Sequence, residues 1–290
     1  MKFGKVDDPS TVDFTIPPDH PDTKKNLAKG KGKGLDVYVG CAKWSSAELK
    51  GFYPKGTKDE LGYYSSQFNS IELNATFRKR YWAPQYEKWA NATPEGFKFC
   101  PKLPGYISHT KRLDGVEESV EVFVENASAM GDKLGVPYIQ MHDNFDPKDI
   151  DRVSNFCEIW KYDIPVAMEL RKTTWYTDEA IADQWHAQFE KCGIIKVLVD
   201  TAARRDMMHM RLTSPTVFLR WVGCNVDEID HGRLDEWIER LAKWKKEGMS
   251  TLYFFVHQNA EVSSPKLAAY FIERLNKKIG TKLHIPATLD

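Results

Sequence analysis

The chain has 290 residues, of which 42% are hydrophobic and 12% aromatic, and this composition excludes an intrinsically disordered protein. Lys and Arg together number 41, as do Asp and Glu, so the overall charge does not select for nucleic acid or for an anionic membrane. The sequence has no run of about 18 apolar residues, and Met1–Lys5 lack the apolar core of a signal peptide. We therefore expect a cytoplasmic protein with no membrane association.

The cysteines are widely spaced and form no CxxC pair. They are Cys41, Cys100, Cys157, Cys192 and Cys224. This arrangement predicts neither a disulfide framework nor a zinc knuckle. We expect five reduced thiols, which is typical of a cytoplasmic protein.

Residues 1–34 are polar and show no apolar periodicity. They end in the run Lys29-Gly30-Lys31-Gly32-Lys33-Gly34, which favours irregular backbone. We predict an irregular N-terminal extension over residues 1–34, which follows the surface of a single domain formed by residues 35–290. A basic, glycine-rich run can also contact nucleic acid, but a solvated leader is the simpler interpretation.

After the extension, eight short runs rich in β-branched and aromatic residues recur, each followed by a longer amphipathic or charged segment. The predicted strands are Asp36–Cys41, Ser70–Thr76, Phe97–Lys102, Tyr138–His142, Pro165–Arg171, Ile194–Asp200, Thr216–Val222 and Thr251–His257. Between them, Val120–Leu134 and Leu234–Glu247 have apolar residues at helical spacing. Parallel strands separated by single helices can close into a ring, so the pattern predicts an α/β fold, a (β/α)8 barrel of the TIM type.

The alternative fold is an open, doubly wound sheet. Such sheets usually bind a nucleotide through a glycine-rich turn after the first strand. Here that position holds Gly40-Cys41-Ala42-Lys43-Trp44, which matches neither GxGxxG nor GxxxxGK[ST]. The sequence therefore favours the barrel.

Polar residues cluster at the C-terminal ends of the predicted strands, where barrel proteins carry their functional groups. Because successive strand residues face opposite sides, Glu169 and Arg171 share one face of the fifth strand. The other polar residues at or just after strand ends are Glu72, Asn74, Lys102, Gln140, His142, Asp200, Arg220, His257 and Asn259. Charged side chains in apolar strands are costly unless they are paired, so we expect most of these residues to converge in one pocket.

The charges predict a pocket for a small anionic ligand. Arg171, Arg220 and Lys102 can hold a phosphate or a carboxylate group. Glu169 is the preferred general acid or base, provided that burial raises its pKa. The other candidates for that role are Glu72 and Asp200. A purely structural alternative is an ion-pair layer in which Glu169 pairs with Arg220 without any ligand.

Divalent-metal binding is a competing use of the same strand ends. Glu72, His142, Glu169, Asp200 and His257 offer oxygen and nitrogen ligands of the kinds that zinc, manganese and magnesium use. The sequence contains no HExxH or other local ligand spacing. We therefore predict no cofactor and keep a divalent metal as the alternative, with His142 and His257 as its weak candidates.

Further ligand contacts are expected around the strand ends. Trp44 and Trp175 directly follow predicted strands and could stack on a ligand, although such residues equally often belong to the core. His109, in the loop after the third strand, could donate a hydrogen bond to a ligand or be exposed. The amide side chains among the predicted substrate contacts are Asn74, Gln140 and Asn259.

Several motifs follow one another in a specific order over most of residues 36–275. They are Gly40-Cys41-Ala42-Lys43-Trp44, Phe52-Tyr53-Pro54, the run from Phe68 to Phe77, Lys102, Ile107-Ser108-His109, Gln140, Glu169-Leu170-Arg171, Trp175 and Arg220. In order and spacing they resemble the YecE-like proteins, a family known as domain of unknown function 72. The resemblance implies a TIM-type barrel, and it implies no activity because that family is itself uncharacterised.

The chain departs from the pattern of that family at four positions. His142 stands where a proline is expected, and Thr174 lies in a turn where histidine and serine are expected. Val222 replaces an expected histidine, and His257 replaces a member of an asparagine pair. These departures indicate a divergent branch with an altered ligand.

The sequence leaves three functions open. The first is an enzyme that acts on a small anionic substrate, such as a phosphate ester or a sugar derivative. The second is a divalent-metal hydrolase or isomerase, including one that acts on nucleic acid. The third is a non-catalytic barrel that binds a ligand or a partner, for which the fold alone provides no counter-argument.

Overall fold

The computed structural model describes residues 4–287, which form eight parallel strands with helices packed around them. The strands are β1 (Asp36–Cys41), β2 (Ser70–Leu73), β3 (Lys98–Pro101), β4 (Tyr138–Gln140), β5 (Ala167–Glu169), β6 (Ile195–Asp200), β7 (Thr216–Val222) and β8 (Thr251–His257). The α-helices are α1 (Pro21–Ala28), α2 (Glu60–Gln67), α3 (Ala75–Arg78), α4 (Ala83–Asn91), α5 (Glu117–Ala127), α6 (Ile150–Ile159), α7 (Thr174–Thr177), α8 (Glu179–Cys192), α9 (Asp227–Glu247) and α10 (Ser264–Ile279).

The predicted α/β fold of the TIM type is confirmed, with differences at the element ends. Strands β1, β7 and β8 have the predicted limits. Strand β2 ends at Leu73 because the backbone of Asn74 is already helical and α3 begins at Ala75. The predicted helix from Val120 to Leu134 is shorter, since α5 ends at Ala127 and a kinked 3₁₀ segment follows.

The backbone ladder around the ring is interrupted in two places. Six strands are hydrogen-bonded in the order β1-β8-β7-β6-β5-β4, and β2 pairs separately with β3. Between β3 and β4 the described residues form isolated bridges, Lys102 with Tyr138 and Phe99 with Leu134. The ring is therefore assembled from a six-stranded sheet and a two-stranded one.

Side chains join the two sheets where β1 meets β2, a contact that we call the β1–β2 seam. The amide of Asn69 donates to the Val37 carbonyl and accepts from the Val39 N–H, both over 2.8 Å. The hydroxyl of Tyr64 accepts from the Cys41 N–H over 2.7 Å and donates to the Ser70 carbonyl over 3.0 Å. These groups replace the backbone bonds that a continuous ladder would supply.

The interior of the ring is apolar over most of its length and polar at the C-terminal end. Its apolar residues form one buried cluster that is separate from the layer between strands and helices. Strand residues of this cluster are Cys100, Tyr138, Ala167, Ile195, Val197, Val199, Phe218, Tyr253 and Phe255. Because strand residues alternate between faces, the positions that follow them on the same face also point inward. This alternation carries polar residues into the mouth of the barrel.

The N-terminal extension is less irregular than predicted, since it contains helix α1. The side chain of His20 accepts from the Asp22 N–H, and Pro21 occupies the first turn. Asn26 and Leu27 are fully buried, and the Asn26 amide donates to the Leu212 carbonyl over 2.8 Å. Tertiary packing thus stabilises a helix of eight residues that has little apolar periodicity of its own.

The expectation of five reduced cysteines is wrong, because Cys157 and Cys192 form a disulfide. The bond joins α6 to α8 across 35 residues of sequence, and only the packing of these helices brings the two thiols together. Cys41, Cys100 and Cys224 are free and buried. The cysteines therefore no longer support a reducing compartment, and a cytoplasmic location stays a prediction. Within residues 4–287, no helix has the length and apolarity needed to cross a membrane.

Candidate active site at the strand ends

A cavity of about 450 Å³ opens at the C-terminal ends of β1, β2 and β3. Its walls are formed by Ala42, Lys43, Trp44, Ser45, Glu48, Glu72, Leu73, Asn74, Ala75, Phe77, Arg78 and Lys102. A larger cavity of about 680 Å³ lies at the opposite end of the barrel and is lined by Lys31, Lys245 and other residues of the loops there. We assign the candidate site to the strand-end cavity, because barrel proteins place their chemistry at that end.

The floor of the mouth is a network of buried polar side chains that we call the strand-end cluster. Its members are Glu72, Lys102, Tyr138, Gln140, Glu169, Arg220 and His257. They come from six different strands or strand ends, β2, β3, β4, β5, β7 and β8. All are at most 9% exposed, so their charges must be compensated within the protein.

Arg220 is the centre of the strand-end cluster. Its Nε and Nη2 donate to the two oxygens of Glu72 over 2.8 and 3.1 Å, and its Nη1 donates to Glu169 over 2.6 Å. The pairing of Glu169 with Arg220, which was the structural alternative to an anion clamp at this arginine, is therefore present. Because all three nitrogens of Arg220 already donate to carboxylates, this arginine acts as an internal counter-ion.

Both carboxylates of the cluster are ionised at neutral pH. Burial by itself would raise the pKa of Glu72, but the charges of Arg220 and His257 outweigh it and hold the pKa well below its usual value. Burial likewise opposes ionisation of Glu169, and the charges of Arg220 and Arg171 lower its pKa overall. The raised pKa that a general acid at Glu169 would need is therefore not present.

Lys102 is the member of the cluster whose charge is least compensated. Its Nζ donates to Gln140 Oε1 over 2.8 Å and lies 4.3 Å from the ring centre of Phe77. No carboxylate of the described residues lies within ion-pair distance of this ammonium. Burial, reinforced by the charge of Arg220, lowers the pKa of Lys102 to about 8.

Neutral groups connect the charged ones. Gln140 accepts from Lys102 and donates its amide to Glu169 over 2.9 Å. The Tyr138 hydroxyl lies 2.8 Å from both Glu72 Oε1 and Asn74 Oδ1, and burial raises its pKa, so the phenol stays protonated. These bonds fix the positions of the charged side chains.

Arg171 lies above the cluster, at the rim of the mouth. Its Nε is 3.2 Å from Asp143 and 3.5 Å from Glu169, and its Nη1 is 3.4 Å from Gln140 Oε1. Three cations, Arg171, Arg220 and Lys102, thus face two buried carboxylates, while Asp143 is 60% exposed to solvent. Arg171 is thus paired with Asp143, and Arg220 with the two buried carboxylates, which leaves Lys102 as the cation of the cluster without an ion-pair partner among the described residues.

Two histidines pack against each other at the rim of the mouth. The ring centres of His109 and His142 are 5.1 Å apart, and His109 is 4.8 Å from Phe77. Burial and the charge of Lys102 lower the pKa of His109 to about 4, so its imidazole is neutral at pH 7. His257 lies elsewhere, with Nε2 2.9 Å from Glu72. Among the described residues, no group of three or more His, Cys, Asp or Glu side chains is arranged to hold a metal ion.

Asp200 and Trp175 lie outside the pocket. The inward positions of β6 are Val197 and Val199, so Asp200 faces outward, where Arg233 donates to it over 2.8 Å and Trp237 over 2.6 Å. Trp175 is fully buried, and its Nε1 donates to a main-chain carbonyl in the core. Both side chains have structural partners that account for them.

Trp44 and Asn259 take different positions at the mouth. Trp44 is half-buried and forms part of the cavity wall, as a stacking residue would. Asn259 is exposed two positions beyond the end of β8 and does not line the cavity.

Several residues of the site were not predicted from the sequence, among them Tyr138, Phe77, Arg78 and Lys43. Tyr138 precedes Gln140 by two positions in β4, so strand alternation could have identified it. Phe77 and Arg78 lie in α3, which occupies part of the predicted second strand, and Lys43 lies in an irregular loop. No periodic signal marks these three positions.

The fold and the strand-end cluster define a barrel protein of the (β/α)8 class with a charged site at its strand ends. Residues 38–288 match the family model described as "Protein of unknown function DUF72", so the chain belongs to this family. It is 24% identical over 275 residues to the UPF0759 protein YecE of Escherichia coli (strain K12), covering 87% of this chain and 97% of that protein.

Solved structures of the same family have the same fold. A DUF72 family protein from Enterococcus faecalis V583 superposes with a TM-score of 0.69 at 18% identity, over 88% of this chain and 100% of that chain. One from Thermotoga maritima MSB8 gives 0.64 at 22% identity, over 83% and 99%. At these identities the similarity shows the fold, and the relatives' descriptions name no activity.

Proposed function

We propose that the protein is an enzyme that binds a small phosphate- or carboxylate-bearing substrate in the strand-end cavity, with Lys102 as the main contact to the anion. The observation that carries this proposal is a buried ammonium that lines a cavity without a carboxylate partner in the described residues. An anion in the cavity would compensate that charge. Burying a cation without compensation is otherwise costly.

The positions of the other charges support an anionic ligand. Glu72 and Glu169 accept their hydrogen bonds from Arg220, and their charges act on Lys102 only over a longer distance. Arg78 also lines the cavity and adds positive charge there, whereas Lys43 is paired with Glu48 over 2.9 Å. The anion contacts proposed here are Lys102 and Arg171, while Arg220 orders the cluster from below.

Lys102, and not Glu169, is the group whose pKa suits it to proton transfer near neutral pH. A pKa of about 8 means that a minor fraction of the amine is free of its proton at pH 7. Catalytic acids and bases work best when their pKa lies near the operating pH. A substrate whose reacting atom lies next to its anionic group would place that atom beside the Nζ of Lys102.

Calorimetric titration with inorganic sulfate tests the proposal, because sulfate keeps its charge over the pH range of interest. We expect binding that weakens about tenfold per pH unit above pH 8, as Lys102 loses its proton. At pH 8, binding should take up about half a proton, which is measured by repeating the titration in buffers of different ionisation enthalpy.

Variants at Lys102 identify the group responsible. Lys102→Met should weaken sulfate binding at least about tenfold at pH 7, as expected for loss of a charge-assisted contact. Lys102→Arg should keep binding but remove its dependence on pH near 8, since arginine does not titrate there. Lys98→Met, on the same strand but outside the cavity, is the matched control. Unchanged sulfate affinity in Lys102→Met would reject the proposal.

A further inference from the structure

The N-terminal extension runs along the whole length of the barrel. Its helix α1 contacts the loop before β7 through Asn26 and Leu212. Its first described residue, Gly4, lies at the opposite end, beside Thr201 and Val222 at the ends of β6 and β7. The extension therefore reaches the same end of the barrel as the strand-end cluster.

Gly4 fits into the mouth of the barrel. It is buried, with φ of +92°, and a Cβ atom built on it would lie 2.9 Å from both Thr201 Oγ1 and Val222 Cγ1. Asn259 Oδ1 would be 3.5 Å away. Thr201, Val222 and Asn259 each follow an inward-facing residue of β6, β7 or β8 by two positions, so they face the mouth and not the helices.

Two anchors hold the segment in this position. The guanidinium of Arg233 lies 4.4 Å from the ring centre of Phe14, and Arg205 donates to the Phe14 carbonyl over 3.0 Å. Further along, Asp19 accepts from Arg240 over 2.5 Å and from Lys243 over 2.6 Å. The segment is thus held at Phe14 and at Asp19 by contacts to α9 and to the loop after β6.

This segment lies outside the part of the chain that matches the family model. The DUF72 family model begins at residue 38, and the Escherichia coli relative is already matched over 97% of its own length. Gly4 contacts Val222, a position at which we expect a histidine in the family pattern. The extension therefore reaches the mouth of the barrel from outside the residues that match the family model.

We propose that the segment Gly4–Asp19 determines ligand size by closing the mouth over β6–β8, so that the site admits a compact anion through the β1–β3 side. The inference rests on the proposed function for the identity of the ligand, whereas the closure itself is independent of it. The open side is the cavity of about 450 Å³ next to Lys102. A longer polyanion would have to extend into the space that Gly4 occupies.

Substitution at Gly4 tests the closure without any ligand. Gly4→Val should displace the segment, because the new side chain would overlap Thr201 and Val222 and is strained at positive φ. Gly32→Val is the matched control, since Gly32 has a similar φ of +82° but nothing within 4 Å of its Cβ position. Deletion of residues 2–12, which keeps the anchors at Phe14 and Asp19, should act like Gly4→Val.

The readout is maleimide labelling of Val222→Cys, combined with each change at the extension and followed by peptide mass spectrometry. We expect labelling at position 222 to become at least about tenfold faster with Gly4→Val or the deletion, and to be unchanged with Gly32→Val, as expected when a local covering segment is opened. Equal labelling rates in all backgrounds would overturn the closure.

Titration with sulfate and with inorganic triphosphate tests the effect on ligand size. Gly4→Val should improve the affinity for triphosphate relative to sulfate by at least about tenfold, while Gly32→Val leaves the ratio unchanged. If labelling at position 222 becomes faster but the ratio of triphosphate to sulfate affinity stays unchanged, the proposed role of the segment Gly4–Asp19 in ligand selection is overturned. If neither anion binds any variant, the proposed function and the ligand selection both fail, and the labelling result still decides the closure.

Discussion

Replacing Arg220 with methionine tests whether the strand-end cluster depends on its central cation. Arg220 donates to Glu72 over 2.8 and 3.1 Å and to Glu169 over 2.6 Å, and both carboxylates are at most 1% exposed. Methionine keeps an unbranched apolar stem but removes every donor. Breaking a buried ion pair costs about 3–5 kcal/mol, and here one arginine serves two carboxylates.

The cost has an upper limit, because a buried carboxylate that loses its cation takes up a proton. At pH 7, protonating a glutamate with an ordinary pKa of about 4.3 costs about 3.7 kcal/mol, so the loss for two carboxylates is at most about 7 kcal/mol. At pH 5 the cost falls to about 1 kcal/mol per carboxylate. The stability lost in Arg220→Met should therefore shrink by about 1.4 kcal/mol per pH unit for each carboxylate protonated.

The stability contributed by Glu72 changes with pH in opposite directions in the parent protein and in Arg220→Met. In the parent, the pKa of Glu72 is held below its usual value, so its contribution to stability is present above the unfolded pKa and is lost as pH falls through the folded value. In Arg220→Met, burial raises the folded pKa above the unfolded one. The stability that this group contributes is then present at low pH and is lost as pH rises.

Urea unfolding at pH 5, 6 and 7, followed by tryptophan fluorescence, measures the stability of the parent protein and of Arg220→Met. Urea is chosen because it does not screen charges as an ionic denaturant would. Arg152→Met is the control, because Arg152 forms ion pairs at the surface and its loss should cost about 1 kcal/mol or less at every pH. Adding Glu72→Gln and Glu169→Gln to Arg220→Met should restore much of the stability. A loss below about 1 kcal/mol, or one that does not vary with pH, would refute the reasoning.

Two further predictions concern the connections of the fold. Asn69→Ala should lower the free energy of unfolding by about 2–3 kcal/mol, because it removes two hydrogen bonds of the β1–β2 seam and leaves backbone groups unsatisfied. Asn91→Ala, at an exposed helix end, is the control and should change the free energy of unfolding little. Equal urea midpoints for the two variants would contradict the role of Asn69. Replacing Cys157 and Cys192 by serine should cost about 3–4 kcal/mol, the chain-entropy value for a loop of 35 residues, and reductant should then destabilise the parent but not the variant.

The sequence predicts the fold well because the fold rests on local periodicity. Eight apolar runs and the helices between them are recorded in consecutive residues, and their order alone implies parallel pairing. The convergence of Glu72, Glu169 and Arg220 follows from the same logic, since each lies near the C-terminal end of its strand. The sequence could not show which partner Arg220 takes, because that depends on distances across the barrel.

The expectations that were wrong, for Asp200, for the pKa of Glu169 and for the cysteines, all depend on contacts between residues far apart in the sequence. In strand β6, Lys196 and Asp200 share the face opposite Val197 and Val199, but the sequence does not show which of the two faces points into the ring and which toward α9. Among the charges that lower the pKa of Glu169, the largest effect comes from Arg220 of β7, and no residue near Glu169 in the sequence reveals that approach. The disulfide likewise depends on the packing of α6 against α8, and the thiols themselves carry no spacing motif.

The β1–β2 seam has a consequence for how the sequence can change over evolution. In an ordinary ladder, backbone groups hold the strands together, so the bonds persist when side chains are exchanged. At the seam, the bonds belong to the amide of Asn69 and the hydroxyl of Tyr64, and a single nucleotide substitution can remove them. The integrity of the ring at this point is therefore inherited through the identity of two residues, and it can be tuned one mutation at a time.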